Sequence, residues 1–149
     1  MPLRAIAYVS EASAGLSSSA LDALVEDAAR FNTVAGVTGV LLFDGQRFLQ
    51  YFEGPEDGVA AVHERILQAR SHAAITELSR GRVPRRFFPY WGMRWLDVDA
   101  ALIRQLADGD WDGFAQGLAQ DRAADSALDQ LLELVTGRMG TNGPVHAGA

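Results

Sequence analysis

Three polar side chains interrupt apolar patterns at distant places in the sequence. Strand side chains alternate between faces, so the amide of Gln50 shares one face with Phe48 and Phe52. Tyr8 lies within a second apolar strand-like run, and Asn32 continues the apolar stripe of a predicted helix. A buried amide without partners costs about 1–3 kcal/mol. These polar groups must therefore find partners, either in one another or in something that they bind.

Two interpretations of this trio follow from the residue types alone. One is a small internal hydrogen-bond network, which is common in protein cores. The other is that the three polar groups converge between a sheet and its helices and face the polar edge of a flat, apolar ligand. The pattern of residues leaves both interpretations open.

Composition excludes several other kinds of chemistry. The chain has 149 residues, the size of one domain, and no cysteine, which excludes disulfides, thiol nucleophiles and thiolate metal sites. All 13 basic residues are arginine, so neither Schiff-base chemistry nor a phosphate-binding Walker lysine is available. The net charge of −6 argues against a nucleic-acid partner. The one basic cluster, Arg80, Arg82, Arg85 and Arg86, is predicted to protect an edge strand.

Membranes and metals are also not expected. No apolar run is long enough to span a bilayer, and the N-terminus lacks the apolar core of a signal peptide, so we expect a cytoplasmic protein. His63, His72 and His146 have no metal-ligand spacing, and no nucleophile–base or paired-carboxylate motif stands out. The sequence therefore predicts no metal site.

The order of predicted elements indicates how the polar trio is positioned. Alternation, helical spacing and turn signals predict strand, helix, strand, strand, helix, strand and strand, with strands at 3–10, 36–43, 47–53, 75–83 and 87–96. This βαββαββ order predicts an α+β, ferredoxin-like sandwich with a five-stranded mixed sheet and two helices on one face. Asp44-Gly45 predicts the hairpin turn.

The C-terminal third is predicted to cover the other face of the sheet. Apolar residues at helical spacing predict one helix at 100–106 and another at 127–135 that Gly137 ends. We expect a core domain at 1–97, a helical cap at 98–138 and a disordered tail at 139–149.

Five segments together carry a resemblance to a known family: 8–10, Asn32 with 36–41, 48–54, Arg65-Ile66 with His72, and 88–93. In this order and spacing the chain resembles the BLUF family, blue-light sensors that hold FAD, from residue 3 to about 96. The resemblance implies the same ferredoxin-like fold, with the flavin ring between the two helices. It also implies that the ligand interpretation of the polar trio applies.

The resemblance assigns roles to Tyr8 and Gln50. It implies that Tyr8 hydrogen-bonds Gln50, which lies beside the flavin. Light-excited flavin is a strong oxidant, so Tyr8 is expected to donate an electron and its proton, with Gln50 as the proton relay. An amide has a donor end and an acceptor end, so its rotation or tautomerisation changes the hydrogen bonding to the flavin. That change is expected to shift the absorption to the red.

The resemblance also implies a set of flavin-binding positions: Tyr8, Leu24, Asn32, Gln50, Arg65, Ile66 and His72. For Asn32 the alternative is a helix C-cap, and for Arg65 and His72 it is an ordinary surface or capping position. Leu24 and Ile66 are plain core residues that could equally lie on either side of the ring, and the two roles are compatible. The family commonly has Asp and Arg where this chain has Ala69 and Ser71. That departure weakens the assignment of His72.

The last predicted strand supplies the remaining photocycle candidates. Alternation places Trp91, Met93 and Trp95 on one face of this strand. The resemblance implies that the strand lies beside the Tyr8 strand and that either Trp91 or Met93 lies near Gln50. The alternative for Trp91 and Met93 is a plain core role. Met93 is the favoured neighbour of Gln50, because a flexible thioether adapts to a rearranging amide.

Together these observations predict a blue-light photoreceptor, not an enzyme, that binds FAD or FMN non-covalently. With no effector domain expected after the core, output is predicted to act in trans on a partner protein or through a homo-oligomer. The alternatives are a light-insensitive flavin-binding or flavin-reducing enzyme and a flavin-free dimerisation module. A reversible red shift of the absorption after blue light separates the photoreceptor from these alternatives.

Overall fold

A five-stranded mixed sheet organises the computed structural model, which describes residues 2–69, 72–109, 111 and 127–139. In chain order the elements are β1 (Leu3–Ala12), α1 (Ser18–Ala35), β2 (Thr38–Phe43), β3 (Arg47–Pro55), α2 (Glu56–Gln68), β4 (His72–Val83), β5 (Arg94–Asp97), α3 (Ala100–Ala107) and α4 (Ala127–Met139). None of the helices in these ranges has the length and apolar character that crossing a membrane requires.

The strand order confirms the predicted ferredoxin-like arrangement. It is β4-β1-β3-β2-β5, in which β1 pairs antiparallel with both β3 and β4, and β2 pairs antiparallel with β3. The Asp44 carboxylate accepts hydrogen bonds from the backbone of Gln46 and Arg47, and Gly45 has φ of 98°, which makes the β2–β3 hairpin tight. β4 lies at an edge of the sheet, as predicted for the strand of Arg80 and Arg82.

Both faces of the sheet are covered as predicted. On one face α1 and α2 bury two apolar clusters, which include Ile6, Tyr8, Leu21, Val25, Leu41, Phe48, Phe52 and Val62. On the other face α3 and α4 pack against the alternate strand residues, with Ala7, Leu42, Leu49, Ile103, Leu131 and Val135 in one cluster. The Tyr8 and Gln50 side chains therefore lie on the face covered by α1 and α2.

The cap of α1 rules out one interpretation of Asn32. The helix begins after Ser17, whose hydroxyl accepts from the Ala20 backbone at 3.1 Å, and it ends at Gly36 in the left-handed conformation, with φ of 78°. Asn32 lies four residues before that cap, inside the helix. The C-cap interpretation of Asn32 is therefore wrong.

The predicted last strand is mostly irregular. Only Arg94–Asp97 forms a strand, and the prediction of a strand over 87–96 is wrong for 87–93. Pro89 has no backbone donor, and the donors of Phe87 and Phe88 go to the Glu53 carboxylate instead of a neighbouring strand.

The neighbour of the last strand also differs from the prediction. β5 pairs parallel with β2, whereas the sequence predicted that it lies beside the strand of Tyr8. β1 already has β3 on one side and β4 on the other, so both of its edges are paired. β5 instead takes the free edge of β2, and β4 forms the other edge of the sheet.

The C-terminal helix extends further than predicted. α4 continues through Gly137 to Met139, because glycine is costly inside a helix but does not by itself end one. The division into a core at 1–97 and a cap at 98–138 stays a prediction. Residues 140–149 of the predicted tail lie outside the described residues.

Glu53 ties the irregular segment to the sheet. Its side chain is fully buried on the α3 and α4 face, where Oε2 accepts from the backbone of Phe87 and Phe88 at 2.7 Å each. Oε1 accepts from the Tyr51 hydroxyl at 2.8 Å. Burial raises the pKa of Glu53, while these donors oppose the rise.

Replacing Glu53 should therefore destabilise the fold strongly. Glu53→Ala leaves three buried donors without their acceptor, so we expect the free energy of unfolding to fall by about 2–5 kcal/mol. Tyr51→Phe removes only one of these hydrogen bonds and should cost about 0.5–1.5 kcal/mol. Urea denaturation measures both values. Equal losses for the two variants would contradict the anchoring role of the carboxylate.

Candidate functional site

A cavity opens between α1, α2 and the face of the sheet that carries Tyr8. The empty space between these elements is ≈ 730 Å³, which includes open solvent at its mouth. It is lined by Tyr8, Leu21, Leu24, Val25, Asp27, Ala28, Asn32, Leu41, Phe48, Gln50, Val62, Arg65, Ile66, Ala69, His72 and Met93. The structure thus brings together every predicted site residue except Trp91.

Tyr8 and Gln50 form the central polar contact of this cavity. They are opposite each other in the β1–β3 register, and the Tyr8 hydroxyl donates a hydrogen bond to Gln50 Oε1. Burial raises the pKa of Tyr8 far above its usual value, so the phenol stays protonated at neutral pH. Within the described residues no acceptor faces Gln50 Nε2. The donor end of the amide is therefore available to a ligand.

Asn32 connects α1 to the irregular segment before β5. Its buried Nδ2 donates to the Gly92 carbonyl oxygen at 3.0 Å. Gly92 allows this approach, because a Cβ there would lie 2.5 Å from the Ala29 carbonyl oxygen. The next residue, Met93, packs with Leu21 and other residues of the cavity wall. Asn32 and Met93 are therefore held on the same side of the cavity.

Trp91 lies away from the cavity. It packs in the apolar cluster on the α3 and α4 face, with the Arg94 guanidinium 4.7 Å from its ring centroid. The prediction that Trp91 shares a face with Met93 and Trp95 is wrong, because residues 91–93 precede β5 and strand alternation does not apply to them. Trp95 does lie with Met93, and its indole donates to Asp22 Oδ1 at 2.8 Å.

His72 reaches the cavity at the start of β4. A register shift between Val9 and Glu11 on β1 accompanies its placement, and Ala74 of β4 has φ of 54°. His72 Nδ1 is 2.7 Å from the hydroxyl of Ser10, and its ring lies 5.8 Å from that of Tyr8. The structure therefore places His72 at the site even though the neighbouring residues depart from the family pattern.

The titration of His72 is shifted by its surroundings. Burial lowers the pKa of the imidazole, and a hydrogen bond with the backbone of Ile66 opposes part of that shift. The imidazole is therefore neutral at neutral pH, and it adds no positive charge to the cavity.

Arg65 lies at the open end of the cavity, between α2 and α1. Its guanidinium donates to Asp27 Oδ2 at 2.5 Å and lies 4.5 Å from the centroid of the Phe31 ring. Leu24 of α1 and Ile66 of α2 also line the cavity and lie on opposite helices. Both apolar side chains therefore lie in the cavity wall, and their contact with a flat ring stays a prediction.

Two functional residues were missed by the sequence interpretation. Glu53 follows Tyr51 on the other face of β3, so the argument that singled out Gln50, a polar group on an apolar face, also applies to it. Asp27 has no such signal, because it is an exposed acid whose partner Arg65 lies 38 residues away on another helix. Only the packing of α1 against α2 brings this pair together.

The polar groups of the cavity favour hydrogen bonding over hydrolysis or metal chemistry. In the described ranges no three histidine, cysteine or acidic side chains come close enough to hold a metal ion. A phenol, two amides and a neutral imidazole line an otherwise largely apolar wall. Fold and cavity together define a small-ligand-binding α+β domain.

Comparison with known proteins gives this domain a family. The profile of BLUF, described as sensors of blue-light using FAD, matches residues 3–94. The blue light- and temperature-regulated antirepressor BluF of Escherichia coli K12 is 38% identical over 78 residues, 52% of this chain and 19% of that protein. The photoactivated adenylate cyclase subunit beta of Euglena gracilis is 32% identical over 87 residues, 58% of this chain and 10% of that protein. The chain therefore spans a fifth or less of these curated relatives.

Solved structures agree with the fold. The structure titled "BlrP1 BLUF" has a TM-score of 0.63 and 28% identity, with 91% of this chain and 90% of that chain covered. The dark-state structure of the BLUF protein BlrB has a TM-score of 0.66 over 93% of this chain and 98% of that chain, and its 24% identity supports the fold alone.

The chain belongs to the BLUF family of blue-light sensors that use FAD. The matched region, residues 3–94, is accordingly a blue-light sensor domain. Membership favours the photosensor over both alternatives, the flavin-reducing enzyme and the flavin-free dimerisation module.

The lowered pKa of His72 predicts a pH dependence of stability. The unfolded chain takes up a proton near the usual histidine pKa of about 6.5, before the folded protein does. The contribution of the neutral His72 side chain to the free energy of unfolding is therefore fully present above that pH and is lost as the pH falls below it. We expect the free energy of unfolding, from urea titrations between pH 7.5 and 5.0, to fall more steeply in the wild type than in His72→Gln.

His63 needs a parallel measurement, because burial also lowers its pKa. The variant His63→Gln measures how much of the pH dependence of the free energy of unfolding comes from His63. A wild-type slope identical to that of His72→Gln would show that His72 does not titrate differently on unfolding.

Proposed function

We propose that the chain senses blue light through a change in the hydrogen bonds of Gln50, driven by proton-coupled electron transfer from Tyr8. The observation that carries the proposal is the Tyr8–Gln50 hydrogen bond in the wall of an apolar cavity. The residues that would hold the flavin are the cavity-lining Leu24, Asn32, Arg65, Ile66 and His72, together with the central pair.

The donor set fits a flat ring with a polar edge. Leu24 and Ile66 offer apolar contacts, while the unpartnered donor end of Gln50 suits a carbonyl or ring nitrogen. FAD is the cofactor of the family, and a solved structure of Klebsiella pneumoniae BlrP1 was determined with FMN. FAD and FMN share this ring, so contacts with the ring alone do not select one of them over the other.

Tyr8 is the proposed electron donor. When bound, the flavin supplies absorption of blue light and, once excited, a strong oxidant. Tyr8 is protonated in the dark, because burial raises its pKa. Loss of an electron alone would leave a buried positive charge on Tyr8. The phenolic proton therefore leaves at the same time, along the hydrogen bond to Gln50 Oε1, while the electron would be taken up by the flavin. Both return to Tyr8 afterwards, so no product forms and no co-reactant is consumed.

Gln50 is the residue proposed to retain a changed hydrogen-bond pattern after illumination. Its amide has an acceptor at Oε1 and a donor at Nε2, so rotation or tautomerisation reverses what it offers to Tyr8 and to the ligand. Met93 lines the same cavity, and its unbranched thioether can follow the rearranged amide at low cost. Met93 is therefore proposed as the neighbour that responds, and Trp91 is not.

The proposed output reaches the opposite face of the sheet through β3. This strand carries Gln50 on one face, and on the other Tyr51 and Glu53, which bind each other and the segment before β5. That segment packs against α3 and α4 in one apolar cluster. A small shift of β3 or of Met93 would therefore alter how the C-terminal helices pack.

The receiver of this signal is proposed from the relatives. One curated relative is named an antirepressor and others are named photoactivated adenylate cyclase subunits, so sequences like this one serve in proteins with different outputs. We propose that the chain acts in the cytoplasm on a partner protein or through a homo-oligomer, with the surface of α3 and α4 as the contact.

Gln50→Leu tests the switch. The variant should still bind flavin, because the apolar contacts remain, but it should lose the light-induced red shift completely. The measurement is a light-minus-dark absorption spectrum of the purified chain. Gln46→Leu, in the exposed hairpin turn, is the matched control and should keep the full shift. A normal shift in Gln50→Leu would remove this amide from the mechanism.

Tyr8→Phe tests the electron donor. It keeps the ring and removes one hydrogen bond, so the free energy of unfolding should fall by only about 0.5–1.5 kcal/mol. The red-shifted state should disappear, while its counterpart Tyr51→Phe, another buried phenol but outside the cavity, should form it normally. The spectra are recorded as for Gln50. Formation of the long-lived shifted state in good yield without the Tyr8 phenol would assign the donor role to another residue.

A further inference from the structure

The charges in the cavity wall are concentrated at one pair of residues. Of the described side chains that line the cavity, Asp27 and Arg65 are the acid and the cation, and His72 is neutral because burial lowers its pKa. The other described lining side chains are apolar or uncharged. Among the residues that the structure describes, recognition of a charged group by this cavity therefore depends on these two.

The pair lies at the mouth of the cavity and not in its interior. The side chains of Arg65 and Asp27 are 41% and 56% exposed, whereas Tyr8 and Asn32 are 1% and 2% exposed. A flavin whose ring occupies the buried part must extend its chain towards solvent. A phosphate on that chain would therefore meet the mouth, where a free guanidinium is a strong phosphate ligand.

The guanidinium of Arg65 is already engaged. It donates to Asp27 at 2.5 Å across the space between α2 and α1, and it lies over the Phe31 ring. The contact with Arg65 is also the largest cause that lowers the pKa of Asp27, so the carboxylate is ionised at neutral pH. The two charges offset each other, and the carboxylate repels an approaching phosphate.

We propose that Asp27 determines which flavins the chain prefers, by holding the guanidinium of Arg65 and so preventing it from recognising the ligand's phosphate. This inference rests on the proposed flavin site and adds a residue to it. The wild type then binds flavins through the ring, with little preference for a phosphate. Removing the Asp27 charge releases Arg65 and creates that preference.

The test compares riboflavin with FMN, which share a ring and differ by one phosphate. The full chain, prepared free of flavin, is titrated with each flavin by fluorescence quenching. In the wild type we expect the two Kd values to be equal within about threefold. An exposed ion pair is weak, so Asp27→Asn should lower the Kd of FMN relative to that of riboflavin by about two- to fivefold at low salt. The gain should shrink in 0.5 M NaCl, because salt screens the exposed charge.

Three further variants assign the effect to the pair. Glu26→Gln removes a neighbouring acid of α1 that is 74% exposed and pairs with Arg30, and it should leave the ratio of Kd values unchanged. Arg30 also contacts Asp27, at 3.3 Å, so Asp27→Asn is repeated with Arg30→Gln and should keep its gain. In the double variant Asp27→Asn, Arg65→Gln the gain in FMN affinity relative to riboflavin should be lost.

The outcomes separate this inference from the proposed function. A Kd ratio in Asp27→Asn within twofold of the wild-type ratio overturns the role of Asp27 while flavin binding stands. The same conclusion follows if both flavins gain equally, or if the gain survives Arg65→Gln. Failure of the wild type to bind riboflavin and FMN at all overturns the flavin site and this inference together.

Discussion

The arrangement of this domain depends on one buried carboxylate, that of Glu53. A carboxylate without water needs donors for its oxygens, and here they come from Tyr51 on the same strand and from the backbone of Phe87 and Phe88. The chain between β4 and β5 therefore cannot join the sheet as a regular strand. Residues 87–93 are held against β3 as an irregular segment, anchored at its start by the hydrogen bonds to Glu53.

The cavity depends on the same segment from the opposite face of the sheet. The Gly92 carbonyl receives the amide of Asn32, and Met93 closes the wall beside the two helices. β3 thus connects the site to its surroundings twice, through Gln50 on the cavity face and through Glu53 on the face of α3 and α4. A strand that is hydrogen-bonded on both edges transmits a change at one face to the other, because its backbone cannot yield independently.

Interior and mouth of the cavity differ in their electrostatics. The interior holds Tyr8 and His72 in their neutral forms, because burial raises the pKa of the phenol and lowers that of the imidazole. Among the described lining residues the charged side chains are Asp27 and Arg65 at the solvent end, where water reduces the cost of their charges. This division favours a ligand with an apolar, uncharged ring inside and its charged part outside. The same division supports the proposed coupled movement of an electron and a proton, because forming an ion in the buried interior would be costly.

The sequence by itself determined what local patterns and residue types can express. Alternation placed Tyr8 and Gln50 on one sheet face, and helical spacing placed Asn32 towards that face, because periods of two and 3.6 residues persist along a regular element. It did not determine the course of residues 87–93, which a contact with Glu53, 34 residues earlier, decides, nor did it place Trp91 away from Met93. Only the tertiary structure decided these features and the pairing of Asp27 with Arg65, because each depends on a contact between residues far apart in the chain. Such contacts leave no period in the sequence, and their geometry exists only once the helices and strands have packed.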